Sequence, residues 1–456
     1  MLLRFEREDL RDALNAVCEL VHREGGLALL VGGCVRDSII GLPAKDIDVE
    51  VYGVPADVLK ARLAARFRID LVGEAFGVIK LHHLPIDVSL PRRESKAGLG
   101  HKGFDVLSDP NMTVEEAASR RDFTINAMAY DPRSDRLFDY FNGVDDLRHR
   151  VLRHTSQKFA EDPLRVLRGM QFAARFQLSA APATLKLCAS MDSEGLARER
   201  IFEEWKKLVL KGVKPSLGLS FLRESQWLRF YPELAALVHC QQDPEWHPEG
   251  DVWDHTLLGM DAFAEERTGI DREDLVVGLA VLCHDFGKPL TTVHDEDHIR
   301  SKGHSEAGEA PTRAFLSGMT DESDLVEAVV PLVREHLRPK ELFDAQASSS
   351  AIRRLACRVK RIDRLVRVAQ ADQNGRLGAH DDGFPAGEWL LKMAGELSVK
   401  EAVPRPIVMG RHLIELGMRP GPGFKSILDA CYEAQLDGKI TCLEDGIALV
   451  RESLTG

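Results

Sequence analysis

Two aspartates, Asp46 and Asp48, stand one residue apart in the run Asp46-Ile-Asp-Val-Glu-Val-Tyr52. The run alternates polar and apolar residues, the period-two pattern of a strand. Alternation puts both carboxylates on one face. Like charges that close disfavour each other, and a divalent cation between them removes the conflict. Mg²⁺ held by one or two carboxylates and by substrate phosphates is the usual arrangement for phosphoryl chemistry, and two such ions stabilise both attacking and leaving oxygens. The competing reading is an exposed strand with acids facing water, and the pair alone does not separate the two. Just upstream stands Val31-Gly-Gly-Cys-Val-Arg-Asp37. A glycine pair between strand and helix lets backbone approach a phosphate, and a helix N-terminus favours negative charge. Arg36 falls in the first turn of that helix.

The elements that must position these residues are legible in outline. Residues 8–24 read as an amphipathic helix and 28–35 as a short apolar strand entering the glycine turn. Val78–Leu81, Ile86–Leu90, Asn126–Tyr130 and Leu137–Tyr140 read as further strands, while 91–113 reads as a mobile polar loop. From about Pro163 the period becomes helical, through 164–176, 184–191 and 201–223. Residues 244–250 and 375–385 read as breaks, and 290–304 as a polar loop rich in His and Asp. The expected fold class is α+β: a head with a small mixed sheet, followed by helices only. The expected division is a catalytic head at 1–145, a helical neck and body at 146–250, a third domain at 251–375 and a helical tail at 376–456.

Composition narrows the function. The chain has 456 residues, of which 44% are hydrophobic and 29% charged, ample for real cores. No apolar run is long enough to span a bilayer, and the acidic start does not read as a signal peptide. The eight cysteines show no paired spacing, so a disulfide framework and a structural zinc finger are not expected, and a reducing cytoplasmic setting fits. The net charge of −12 argues weakly against a nucleic-acid partner, but its distribution is uneven. Residues 148–176 carry seven Lys and Arg against two acids, and 351–367 carry seven against one. Each run is either a basic face for a polyanion or a solvated helix face.

Five motifs occur in order: Gly32-Gly-x-Val-Arg-Asp37, Asp46-Ile-Asp48, Arg120-Arg-Asp-Phe-Thr-Ile-Asn-Ala127, Asn142-Gly-x-x-Asp-Leu147 and Glu161-Asp-Pro-Leu-Arg165. Together they resemble the motif series of class II CCA-adding enzymes, tRNA nucleotidyltransferases of the polymerase-β superfamily related to bacterial poly(A) polymerases. The resemblance implies that Asp46 and Asp48 are Mg²⁺ ligands and that a tRNA 3′-OH attacks the α-phosphate of CTP or ATP. Asp87, on a neighbouring strand, is a further candidate carboxylate. Gly33, Arg36 and Arg168 would contact the triphosphate, and Arg121 and Asp122 the ribose. Asp162 and Arg165 would form an amino-acid template: the carboxylate accepts from the exocyclic amine that C and A share, and the guanidinium donates to ring acceptors. Read from the residues alone, Asp162 and Pro163 simply start a helix. One departure is Gln171, where the family has a further Arg. Residues 91–113 resemble a flexible element that serves the switch from C to A addition. A-adding, CC-adding or poly(A)-polymerase variants are the alternatives.

Downstream, Trp246–Thr256 and Leu282–Lys288 resemble an HD-domain phosphohydrolase. The resemblance implies His255, His284, Asp285 and Asp372 as ligands of one or two divalent metals, with His304 and His336 as extra ligands in two-metal versions. Imidazole plus carboxylate suits several metals, so the ion is not named. Related fused enzymes suggest 2′,3′-cyclic or 2′-phosphate ends as substrates. A phosphohydrolase whose N-terminal half only binds RNA is the reading from another class. tRNA binding is expected through the basic helical part after 148. The sequence is silent on oligomeric state.

Overall fold

The computed structural model describes residues 7–72, 78–96, 104–295, 298–377 and 383–455. The chain divides into two compact units: Met1–Gly212 with Leu217–Phe230, and Val213–Ser216 with Tyr231–Gly456.

The first unit is built on strands β1 (Leu27–Val31), β2 (Ile47–Tyr52), β3 (Ile69–Val72), β4 (Val78–Leu81), β5 (Ile86–Ser89), β6 (Arg92–Lys96), β7 (Phe104–Ser108), β8 (Ala129–Asp131) and β9 (Arg136–Phe138). Seven of them form one sheet in the order β3-β4-β5-β2-β1-β8-β9. It is mixed: β2 and β5 run parallel, and the other neighbours are antiparallel. Alternation works as expected on β2. Ile47, Val49 and Val51 are buried, while Asp48 faces outward. Helix Glu8–Arg23 covers the sheet with Leu10, Leu14, Val17 and Val21. Phe123 anchors the next layer, packing edge-on against Phe159 and Phe172 at 5.2 and 5.8 Å. This fixes helix Leu164–Phe176, which carries Arg165 and Arg168, against the motif that follows β7.

The second unit is helical. Helices Val252–Glu265, Asp271–Cys283, Ser323–Glu335 and Ile362–Asn374 pack together. Asp271–Cys283 is central, buried from Asp274 to Cys283, so it shows no one-sided apolar stripe. The tail has its own small core of Val408, Leu413, Cys431, Ile440 and Val450.

Asp274 is buried and accepts hydrogen bonds from the backbone of Thr268 and Gly269, the Thr268 hydroxyl and Arg367. Burial pushes its carboxyl up, but these donors outweigh that and hold it below the usual range. Asp274→Asn leaves the half-buried Arg367 guanidinium without its counter-charge and should destabilise this unit by about 3 kcal/mol at pH 7. A depressed carboxylate contributes stability above its unfolded value, about 3.9, and loses it as pH falls through the folded value. The gap between wild type and variant in urea melts should therefore narrow below about pH 4.

Several expectations are corrected. Residues 91–113 are not all loop: β6 pairs antiparallel with β7, from Arg92 opposite Ser108 to Lys96 opposite Phe104. A two-stranded ribbon needs backbone pairing rather than a buried face, so polar composition concealed it. Residues 97–103 lie outside the described residues, as do 378–382 in the expected break at 375–385. The strand expected at 126–130 begins only at Ala129, after a 3-10 turn over Thr124–Asn126. Asn126 spends its amide on Asp122 and Arg36, which turns the chain there. The helical period through 201–223 breaks into Arg198–Lys211 and Pro215–Glu224, since proline opens a helix but cannot sit inside one freely. In 290–304, Val293–His294 pairs with Ile299–Arg300.

The basic run at 351–367 is not a free polyanion face. Arg358 pairs with Glu335, Arg361 and Arg364 with Glu273, Arg367 with Asp274, and Arg354 with Glu433 and Asp437.

Candidate functional sites

In the first unit a cleft of about 750 Å³ opens beside β2. Asp46 and Asp48 line it, with Gly32, Gly33, Arg36, Arg121, Asp122, Asp162, Arg165 and Arg168. The structure thus gathers every nucleotide-site residue expected from the sequence around one space. Asp48 lies opposite Asp87 in the parallel pairing of β2 and β5. Its carboxyl is raised above the ordinary range, first by desolvation and then by Asp87, Asp46 and Glu50, with Arg121 opposing. A carboxylate crowded by three other acids is what a divalent cation relieves. Gly32 has φ +71°, and a Cβ there would lie 3.1 Å from the Arg121 guanidinium and 3.8 Å from an Asp48 oxygen. A side chain would be strained there by conformation and would press on the Arg121 guanidinium.

The neighbours Arg121 and Asp122 diverge. Arg121 points back to Glu50 at 3.5 Å. Asp122 is buried and accepts from the Phe123 backbone, Asn126 and Arg168, the last at 2.7 Å. Arg36 is also buried, held by Asp37 and Asn126 and stacked 4.2 Å above the Phe176 ring. Burial draws its guanidinium down without freeing it of charge. On the far wall, Asp162 accepts from the Leu164 backbone at 3.0 Å and from Arg200 at 2.9 Å. Arg165 donates to the carbonyls of Lys158 and Arg120 at 2.7 and 2.9 Å. Asp162 and Arg165 are therefore both locked, with lone pairs of Asp162 and the remaining donors of Arg165 unspent. Gln171 is buried in this wall, and its Oε1 has no hydrogen-bond partner.

The cleft is lined by ten Lys and Arg against five Asp, an excess that suits a triphosphate. Five of these cations, Lys45, Arg175, Arg200, Lys207 and Lys211, were not singled out from the sequence. The last three share a face of helix Arg198–Lys211, a spacing of seven and four that the helical period would have exposed.

In the second unit His255, His284, Asp285 and Asp372 converge. His255 Nε2 lies 3.0 Å from Asp372, and His284 Nε2 lies 3.1 Å from Asp285. His304 Nε2 is 3.4 Å from the other Asp285 oxygen and 3.3 Å from His336 Nε2. The tautomers follow from the partners. His284, His304 and His336 each direct Nδ1 at the carbonyl three residues upstream, on Val281, Ser301 and Val333, at 2.7 Å. A carbonyl only accepts, so each Nδ1 carries the proton and each Nε2 presents a lone pair. The 3.3 Å approach of His304 and His336 then places two acceptors face to face. Burial pushes His336 down to about 3, so it stays neutral. Both Asp285 oxygens and His284 Nε2 are buried without a hydrogen-bond partner, although the Lys288 ammonium stands 2.7 Å from Asp285. Unspent acceptors on this scale fit one or two divalent cations sharing Asp285.

Glu249 was not assigned a role from the sequence. Its Oε1 accepts from His247 and His255 at 2.8 and 2.9 Å, which aims both Nε2 atoms away from it. Burial would raise its carboxyl, but the two imidazoles hold it down at about 2. The adjoining cavity of about 260 Å³ is lined by Trp246, His247, Lys288, His304, His336 and Arg376, among others.

Comparison with known proteins places these features. A family model described as the poly A polymerase head domain matches residues 28–153, and one described as the HD domain matches 252–368. The multifunctional CCA protein of Xanthomonas euvesicatoria pv. vesicatoria (strain 85-10) is 38% identical over 376 residues, covering 80% of this chain and 89% of that one. That of Xylella fastidiosa (strain 9a5c) is 37% identical over 381 residues, covering 80% and 88%. Among solved structures, the Bacillus stearothermophilus CCA-adding enzyme in complex with CTP aligns at TM-score 0.62 and 20% identity, covering 98% of each chain. The Thermotoga maritima CCA-adding enzyme complexed with tRNA aligns at 0.58 and 20%, covering 98% of this chain and 96% of that one. At that identity these two speak for the fold.

Proposed function

This chain belongs to the family of multifunctional CCA proteins, and from that premise we propose that it adds C, C and A to the 3′ end of tRNA. The observation that carries the reading is that one cleft is lined by Asp46 and Asp48, by Asp162 and Arg165, and by an excess of Lys and Arg. CTP and ATP are the donors, and tRNA approaches through the basic part that follows residue 148. Mg²⁺ held by Asp46 and Asp48, with Asp87 beside them, supplies charge neutralisation at the α-phosphate and a lowered pKa for the attacking hydroxyl. Arg168, aligned by Asp122, and the cations of helix Arg198–Lys211 hold the triphosphate, while Arg36 and Gly33 shape the turn beneath it. Arg121 and Asp122 test the ribose. Asp162 and Arg165 read the base. A uracil or guanine carbonyl would face the Asp162 carboxylate acceptor to acceptor, with no donor between them, an unfavourable contact.

Dropout of one nucleotide at a time checks this. With tRNA lacking its terminus, CTP alone should add two residues, ATP alone none, and both together three and no more. A long adenylate ladder from ATP alone would instead mean a poly(A) polymerase.

The convergence of four Nε2 lone pairs on Asp285 and Asp372 favours a second activity, metal-dependent phosphohydrolysis in the HD domain. Its substrate class is 2′,3′-cyclic and 2′-phosphate ends. We retain the four-part division at 145, 250 and 375 as the functional map, with a cytoplasmic setting.

A further inference from the structure

Trp246 is 65% exposed and yet lines the HD cavity, together with His247, Lys288 and Arg376. Trp205, Trp227 and Trp253 are fully buried. Its position is set from both sides. The Trp246 and His247 amides donate to the Asp243 carbonyl at 3.1 and 2.9 Å, and the His247 ring is tied to Glu249 at 2.8 Å. An indole held at the mouth of a polar, metal-liganding cavity offers a flat apolar face to whatever enters. Deeper in, Arg376 donates to Asp372 at 3.2 Å, while its Nε is buried without a partner. Lys288 contacts Asp285 and Gln242 at 2.7 and 2.6 Å. A cavity of about 260 Å³ takes a phosphate and its sugar and leaves a base at the rim.

We propose that Trp246 stacks the nucleobase of a ribonucleotide whose phosphate lies at the HD centre, with Arg376 Nε donating to a phosphate oxygen. The site then prefers ribonucleoside 2′-phosphates and 2′,3′-cyclic phosphates over phosphate esters that lack a base. The inference rests on the phosphohydrolase reading above and adds its specificity determinant. Stacking on an aromatic ring tolerates any base, since each has a π-face, and its loss costs about tenfold or more in affinity.

The test is calorimetric binding to the full chain loaded with Mn²⁺, with CTP present to occupy the other cleft. The probes are inorganic phosphate, ribose 5-phosphate and 2′-AMP. Wild type should bind 2′-AMP about tenfold tighter than ribose 5-phosphate. Trp246→Ala should erase that preference, and Trp246→Phe should keep most of it. Phosphate affinity and melting temperature should match wild type in both variants. Phosphate bound normally, with 2′-AMP held no tighter than ribose 5-phosphate or equally by Trp246→Ala, overturns the stacking role and leaves the phosphohydrolase reading standing. No phosphate binding at all, with Mn²⁺ present, overturns both. A short RNA ending in a 2′,3′-cyclic phosphate separates sources: stronger competition than 2′-AMP identifies an RNA end, and weaker competition a free nucleotide. Either ranking supports the stacked base.

Discussion

Asp48→Ala should lower the rate of C addition by about 10³-fold, since a catalytic metal contributes several kcal/mol of transition-state stabilisation and each 1.4 kcal/mol is tenfold. The fold should not suffer. The Asp48 carboxyl is raised in the native state, by desolvation and by Asp87, Asp46 and Glu50. A raised carboxylate disfavours folding at pH values above its unfolded pKa, so removing it leaves stability equal or slightly higher. Activity and stability therefore move in opposite directions, which separates a catalytic role from a structural one. Single-turnover addition and a thermal melt on the same preparation read both. If the N-terminal unit only bound RNA, the variant would keep its full rate.

The second large effect concerns base choice. Asp162→Asn keeps one oxygen for the Leu164 amide and puts an NH2 where the other oxygen met Arg200, so the side chain then offers both an acceptor and a donor. A carboxylate rejects the uracil carbonyl, whereas an amide can meet it. The CTP-to-UTP ratio of kcat/KM should fall by about 10²-fold, the range expected when a buried mismatched charge is removed. Asp162→Ala should lose selectivity too, with a lower rate for every nucleotide, because Leu164 and Arg200 lose their acceptor. An unchanged ratio in both variants would reduce Asp162 to a helix-start residue.

Strand β2 was legible because alternation is local, and the five motifs because their order is specific. What escaped the sequence is set by partners distant along the chain. Asp122 turns from its neighbour Arg121 to Arg168, 46 residues on. The arginines of 351–367 meet Glu273, Asp274, Glu335, Glu433 and Asp437, so counting charge in a window overstated their freedom. The HD ligands were visible by resemblance, but their proton positions were not. Those depend on carbonyls three residues upstream, where His284 and His336 follow directly on helix ends. Glu249 and Trp246 lie in an irregular turn that no periodicity marks. Gln171 is the one departure whose buried, partnerless oxygen has no physical account in the fold.

The account stands on a cation that Asp46 and Asp48 would hold and that would neutralise charge on the α-phosphate of the incoming nucleotide. Replacing one non-bridging α-oxygen of CTP with sulfur tests that role, since sulfur binds Mg²⁺ poorly and softer ions well. One of the two diastereomers should be added at least about tenfold more slowly than CTP in Mg²⁺ and should recover in Cd²⁺. Equal rates for CTP and both diastereomers under either metal would contradict the account.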